Sequence, residues 1–500
     1  MKTKIINLSD INKKHKACVL AYGHFTTIHA GHIRYLNYAK KLGKKLIIAL
    51  LPDINIEGVK KYAFTQKERA EALSFLSIAD FILMMDDEEF GDVIDLIKPD
   101  LVVLGKEYEN TNDKTIINAL EKQISNESRV EFHAGEIHYA SADLLLNSES
   151  DLSKKRKELF LKKCSKENIN SEILLEAIQS WSKTHLLVIG DTIVDQYAAC
   201  EPLGLSAEAP VVVVKELQKR DFIGGAAIVA SHIRALGAKC TFLSVTGDDQ
   251  LSNKIENELN LRGIESNLIK DTSRPTTFKK RYIVENQKLF RVSRLEDHKL
   301  DKEKEELVIS KLREFAPKVN GIVVSDFVYG VITQNILKEL NLLSKKFKLQ
   351  LFGDLQCSSQ IGDITNFKHF SLLCPNEKET RTALKDNESG LEILSQRLIE
   401  KTKTKNLIMK LGASGFIAYE IYNNKRISHV FPALSVNPLD VTGAGDSLLA
   451  VMASGLSSNK SFVCTSALAC CMSSIAVETM GNSPISKEKL ISKILNVFKN

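Results

Sequence analysis

Short β-branched runs alternate along this chain with helix-patterned stretches, and that alternation leaves few architectures open. "ACVLAY", "KLIIALL", "DFILMM" and "DLVVLG" are interleaved with "AGHIRYLNYAKKLG" and "TQKERAEALSFLS". This succession is the sequence form of a doubly wound parallel sheet. Between residues 140 and 183 the strand pattern lapses into a charged, helix-favouring stretch. A second alternating series opens at "HLLVIGDTIVD" and runs through "CTFLSVTG", "GIVVSDF", "LQLFGDL", "FSLLCPN" and "NLIMKLG". At 500 residues the chain is long enough for more than one core. The expectation is two α/β domains, 1–150 and 184–500, joined by a charged helical linker over 151–183.

Composition narrows the function classes. The net charge of +6 is spread over 68 basic and 62 acidic side chains without a basic block, so no nucleic-acid partner is expected. Nine cysteines stand at irregular positions with no CxxC spacing, which fits reduced thiols in the cytosol. The N-terminus lacks the apolar core of a signal peptide, and no run approaches the roughly 20 apolar residues of a membrane span. A cytoplasmic protein without a membrane partner is expected.

Two strings carry chemistry. In "GHFTTIHAGHIRYL" (23–36), Gly23 permits a tight turn at a strand's carboxyl end, and His29 and His32 share one face where a helix begins. Orphan backbone amides and the positive end of the helix dipole make that place an anion site. Imidazoles there can donate to nucleotide phosphates and to charge that builds during attack. In "LDVTGAGDSLLA" (439–450) the glycines again lie at a helix N-terminus. Amides of Gly443, Ala444 and Gly445 can hold a transferring phosphoryl group, and Asp446 can accept the proton of an attacking hydroxyl.

The first string resembles the GxFDxxHxGH signature of the cytidylyltransferase-like nucleotidyltransferases. "KKYAFTQKERAEAL", "DLVVLGKEY" and "HYASADLL" are similar to their lysine and ER-containing segment, their KPDxxVxGxDY turn and their ISTT segment. The resemblance implies a Rossmann-like fold in which His29 and His32 hold the triphosphate and Lys60 or Lys61 neutralises transition-state charge. Gly23, Phe25, Arg69 and Ser141 would lie near the phosphates. Two positions depart from the pattern: Thr26 replaces the family's Asp, and Ala142 replaces the second Thr of ISTT.

The second string resembles the DTGAGD signature of ribokinase-like sugar kinases. "VIGDTIVDQY" is similar to their first strand, which implies that Asp191 and Asp195 meet sugar hydroxyls. "FIGGAAIVASHIRALGA" is similar to the segment that puts Gly224 and Gly225 under the substrate. In "CPNEKET" the NxxE pattern implies that Asn376 and Glu379 act through Mg²⁺ and its waters, and "MKLGASG" implies Gly412 beside the nucleotide. Taken together, these segments resemble the bifunctional heptose kinase/adenylyltransferases of ADP-heptose synthesis, with the two halves in reversed order. Ile228 stands where that family has Asn, and "DFVYG" and "DLQC" lack the lysines of its DYxKG and DPKG segments.

The resemblance implies ATP-dependent phosphorylation of heptose 7-phosphate at the anomeric hydroxyl. Nucleotidyl transfer to the sugar 1-phosphate would follow, with ATP, or CTP by motif type, as donor and Mg²⁺ as cofactor. Two alternatives keep the folds: a kinase and cytidylyltransferase for another sugar or alditol, or an active kinase with a non-catalytic nucleotide-binding N-terminal domain. "PVVVVKELQKRDFIGG" (210–225) is the candidate for a lid of strands through which a homodimer would pair.

Overall fold

The computed structural model describes every residue except 1–2, 13–14, 27, 29, 54–63, 87–88, 106–107, 109–110, 112, 127, 134–148, 286, 358–359, 423–424 and 500. The chain divides into two compact units, residues 1–146 with 386–396, and residues 147–385 with 397–500. Among the described residues no helix is long and apolar enough to cross a membrane.

The first unit holds a six-stranded, wholly parallel sheet. Its spatial order is Lys4–Asn7, Phe81–Met84, Leu46–Leu50, Val19–Gly23, Leu101–Gly105 and Arg129–His133. The inner strands read as unbroken apolar runs because helices cover both faces. Alternation along Val19–Gly23 makes this concrete: Val19 and Ala21 enter a core with Leu36, Ala70 and Leu73, whereas Leu20 and Tyr22 enter another with Phe90, Ile94 and Ala119. The strand order reverses between Val19–Gly23 and Leu101–Gly105. Gly23 therefore ends a strand at the topological switch point, where open α/β sheets bind ligands.

The second unit is built on a nine-stranded sheet. In order it runs Glu265–Lys270, Lys239–Thr246, His185–Gly190, Gly321–Asp326, Gln350–Leu355, Leu372–Leu373, Asn406–Lys410, Phe416–Tyr422 and Lys425–Phe431, and only the pairings among the last three strands are antiparallel. The switch point lies between His185–Gly190 and Gly321–Asp326. "HLLVIGDTIVD" proves to be two strands. The chain leaves the large sheet at Gly190, where a Cβ would overlap the Ser325 carbonyl oxygen, and continues as Thr192–Leu205 in a second sheet. That four-stranded sheet has the order Gln287–Arg294, Thr277–Val284, Thr192–Leu205 and Val212–Gly225, so residues 212–225 do join a lid of strands.

The stretch expected as a linker forms helices Glu149–Lys166 and Ser171–Ser180, but it does not behave as a connector. Leu152, Arg156, Phe160 and Cys164 recur every fourth residue and are all buried. Phe160, Leu174, Ile178 and Trp181 enter the same core as the helices Ala226–Ala235, Ala444–Ser457 and Phe462–Val477. Its charge density conceals one narrow buried stripe, which is why the sequence pattern reads as solvated.

Candidate functional site

In the first unit the switch-point turn is tight. A Cβ on Gly23 would approach the Phe25 ring to 3.1 Å, and Phe25 itself adopts φ 47°. The Phe25 ring is buried and packs against His32, 5.1 Å between centroids, so Phe25 is a core residue that backs a histidine. His32 is half-buried in the first turn of helix Ala30–Lys41. Arg69, expected near the phosphates, is 2% exposed and faces inward. Its guanidinium donates to the His24 carbonyl, to Leu51 O at 2.9 Å and to Asp53 Oδ1 at 2.7 Å. A cation buried to that degree must be paired within the protein, and here it ties two strand ends together. His29, Lys60, Lys61 and Ser141 lie outside the described residues.

In the second unit a cavity of about 460 Å³ opens where the carboxyl ends of the large sheet meet the lid. Gly443, Ala444, Gly445 and Asp446 all line it. Gly443 caps helix Ala444–Ser457 with φ 82°, a conformation that glycine adopts without strain. A Cβ on Gly445 would come within 3.2 Å of Lys410 Nζ. The helix N-terminus thus presents backbone amides to the cavity without side chains in the way. Asp446 sits in the helix's first turn, 4% exposed, and Gln356 Nε2 donates to its Oδ1 at 2.7 Å. Burial, and then the negative charge of Asp354, push the Asp446 carboxyl up to about 7. A base is most useful near the operating pH, and this is where the fold holds Asp446.

Motif reading missed Lys410. It ends the strand Asn406–Lys410, and its ammonium donates to both oxygens of Asp354, each at 2.8 Å. Burial opposes its charge, but Asp354 and Glu379 hold it protonated well above the ordinary lysine range. The available signal was a lysine directly after the apolar run Leu407, Ile408 and Met409. Beside it, Asn376 and Glu379 form a reciprocal helix cap: Asn376 Oδ1 accepts from Glu379 N and Glu379 Oε2 accepts from Asn376 N, both at 2.8 Å. Glu379 Oε1 also accepts from Cys357 N at 3.3 Å. Burial raises the Glu379 carboxyl against the opposing charge of Lys410. Gly412, with φ 59°, and both cap residues line the cavity.

The lid supplies the opposite wall. Asp195 is ion-paired with Arg281 and accepts from Asn482 Nδ2 at 3.1 Å, and both partners line the cavity with it. Gly225 lines it too, whereas a Cβ on Gly224 would approach Asp195 Oδ2 to 2.5 Å, so Gly224 makes room for that carboxylate. Lys279 Nζ stands 5.5 and 5.1 Å from the ring centroids of Phe327 and Tyr329. Arg281 and Arg291 face each other across two paired lid strands, and both line the cavity.

Asp191 departs from the expectation. It does not belong to the cavity lining, and its carboxylate accepts from the amides of Phe327 at 2.7 Å and of Tyr329 and Val331 at 3.4 Å. It organises the loop after strand Gly321–Asp326, because a buried carboxylate is stable only when hydrogen-bonded. Ile228 is fully buried and also lies outside the cavity lining.

The chain is similar to three groups of known proteins. The family model for pfkB family carbohydrate kinases matches residues 183–489, and the cytidylyltransferase-like model matches residues 20–196. The "Bifunctional protein HldE" of Geobacter sulfurreducens is 29% identical over 313 residues, 62% of this chain and 62% of that protein. The protein of the same name from Campylobacter jejuni subsp. doylei is 31% identical over 318 residues, 63% of this chain and 65% of its own length. The chain thus spans less than two thirds of the length of these relatives. Phosphofructokinase-2 from Escherichia coli, solved in complex with potassium, superposes with a TM-score of 0.52 at 15% identity, covering 63% of this chain and 100% of that one. Ribokinase from Giardia lamblia gives a TM-score of 0.51 at 13% identity, covering 62% and 99%, and both likenesses concern the fold. With the family match running from residue 183 to residue 489, across the whole cavity just described, the chain belongs to the pfkB family of carbohydrate kinases.

Proposed function

We propose that this chain is a two-step sugar-activating enzyme. Its second unit transfers the γ-phosphoryl group of ATP to the anomeric hydroxyl of a sugar phosphate, heptose 7-phosphate. Its first unit joins a nucleotide to the resulting sugar 1-phosphate, giving ADP-heptose for lipopolysaccharide or capsule synthesis. The observation that carries the kinase reading is Asp446, buried at a glycine-lined helix N-terminus and facing a cavity whose lid wall is cationic. Two arginines opposed across a strand pair repel each other, and a dianionic substrate group relieves that repulsion. A phosphorylated sugar suits this wall better than a neutral one.

Asp446 accepts the proton of the attacking hydroxyl as the new O–P bond forms and the bond to the departing ADP breaks. The amides at Gly443–Gly445 stabilise charge on the transferring group. The nucleotide lies along Gly412 and Asn376, and the sugar lies against Asp195. Both oxygens of Glu379 take backbone amides, and among the described residues no cluster of three or more metal-ligating side chains occurs. That donor set fits Mg²⁺ held through water by Glu379 and Asn376, not by direct ligation. When bound, Mg²⁺ would screen the charge of the phosphates.

The protein works in the cytoplasm and pairs as a homodimer. Leu217, Phe290 and Val292 of the lid strands are exposed and apolar, which supports a partner there. Light scattering across micromolar concentrations tests it. Phosphorus NMR with ATP, Mg²⁺ and D-glycero-β-D-manno-heptose 7-phosphate tests the kinase: an anomeric phosphate signal is expected, lost in Asp446→Asn. A folded, ATP-binding protein that gives no signal points to another sugar or alditol.

A second reading keeps the kinase and makes the first unit a non-catalytic nucleotide-binding module. It is favoured by Arg69, which spends its donors inside the protein. Pyrophosphate release separates the two: a transferase makes it from the sugar 1-phosphate and ATP or CTP and loses it in His32→Ala, while a binding module makes none.

A further inference from the structure

Arg156 occupies the second position of the buried stripe Leu152, Arg156, Phe160 and Cys164 on helix Glu149–Lys166, and it is 4% exposed. An arginine on an otherwise apolar stripe costs stability unless its donors are matched. They are matched by main-chain carbonyls more than 250 residues away. Nη1 donates to Ala433 O at 3.1 Å and to Ser435 O at 2.8 Å, and Nη2 donates to Ala413 O at 3.1 Å. These carbonyls belong to two loops. One is the turn Gly412–Ser414 that follows the Lys410 strand, and the other follows strand Lys425–Phe431. Gly412, Gly415, Ala433 and Ser435 all form part of the cavity wall. A planar guanidinium has donors in fixed directions, so one side chain sets the spacing of both loops.

We infer that Arg156 is a positioning residue of the kinase cavity, fixing the separation between the Gly412 loop, along which the nucleotide lies, and the cavity-wall loop of Ala433 and Ser435, so that helix Glu149–Lys166 is a working part of the kinase. This rests on the reading of the cavity as a kinase site with the nucleotide along Gly412. It assigns to the expected linker a role in nucleotide affinity. Lysine cannot replace this arginine, because an ammonium cannot reach carbonyls on both loops in one plane.

The test uses the full chain. ATP affinity is measured by calorimetry, and kcat and both KM values by phosphorus NMR or coupled assay, for wild type, Arg156→Ala, Arg156→Lys and the stripe control Leu152→Ala. Both Arg156 variants are expected to raise the ATP Kd and KM about tenfold, the equivalent of losing one net hydrogen bond to a charged group. The sugar KM should stay within about twofold. Guanidinium ion at tens of millimolar should restore ATP affinity to Arg156→Ala and leave Arg156→Lys unchanged. Leu152→Ala should lower the melting temperature without moving the ATP KM. If Arg156→Ala does not fold, Arg156→Lys carries the comparison. Unchanged ATP affinity in either folded variant overturns the inference, as does a loss shared equally by both substrates and by Leu152→Ala. Wild type that binds ATP but leaves heptose unphosphorylated sinks only the substrate reading, whereas wild type that binds no ATP sinks both.

Discussion

Asp446→Asn should cut kinase turnover sharply and at the same time stabilise the second unit, and the size of the second effect follows from burial. The Asp446 carboxyl is pushed up to about 7 from an ordinary 3.8, first by burial and then by Asp354. Its folded form therefore holds a proton that the unfolded chain releases between those two values. Stability contributed at this site falls as pH rises from about 4 to about 7 and is level above that. At 1.36 kcal/mol per pKa unit, this site costs the fold about 2 kcal/mol at pH 5, where only the unfolded chain has released the proton, and about 4 kcal/mol at pH 8, where the buried carboxyl has ionised as well. Asparagine keeps an oxygen to accept from Gln356 and cannot ionise. The variant should therefore gain about 2 kcal/mol over wild type at pH 5 and about 4 kcal/mol at pH 8. Thermal and urea unfolding without nucleotide reads this difference, since a bound ligand would add its own stabilisation. Turnover should fall by about 10² to 10⁴, the usual contribution of a general base. In wild type, kcat/KM should lose about tenfold per pH unit below 7. A variant equally stabilised at pH 5 and pH 8, or one that keeps wild-type kcat, would refute the assignment of Asp446 as a buried base.

Lys410→Met should leave Asp354 buried without its cation, costing about 3–5 kcal/mol of unfolding free energy, measurable by urea denaturation. Because Lys410 also holds the Asp446 carboxyl down, any activity that survives should show its acid limb at higher pH. Gln356→Leu should move that limb the same way by a smaller step, since Gln356 donates to Asp446, and a pH–rate profile distinguishes it from a structural loss. Arg281→Ala should raise the sugar-phosphate KM at least tenfold with a smaller effect on the ATP KM, because it removes both a cation of the lid wall and the partner of Asp195. Equal changes in the two KM values would remove Arg281 from the sugar side.

Much of this architecture is legible in one dimension because its causes are local. Alternating apolar runs and helical periods report buried strands and their covering helices, and both parallel sheets follow from them. The glycines of "VTGAGD" report a tight turn into a helix, and the structure has Gly443 at the cap with Asp446 in the first turn. The NxxE spacing of Asn376 and Glu379 is a helix cap in either reading. Where a residue's role depended on what lay across the fold, the sequence was silent or misleading. Asp191 and Asp195 stand four residues apart on one string, yet a change of sheet at Gly190 gives the first to a backbone loop and the second to the cavity.

The sequence by itself determined the order of strands, helices and tight turns, because propensity, glycine conformation and apolar period act over a few residues. Only the tertiary structure decided which charged groups meet. Lys410 reaches Asp354 across 56 residues, and Arg156 reaches Ala433 across 277, because strand ends on either side of the short strand Leu372–Leu373 and a packed helix bring them together. Burial then does the chemistry: it fixes Arg69 and Arg156 as internal clamps and raises Asp446 to the range in which a carboxylate can serve as a base.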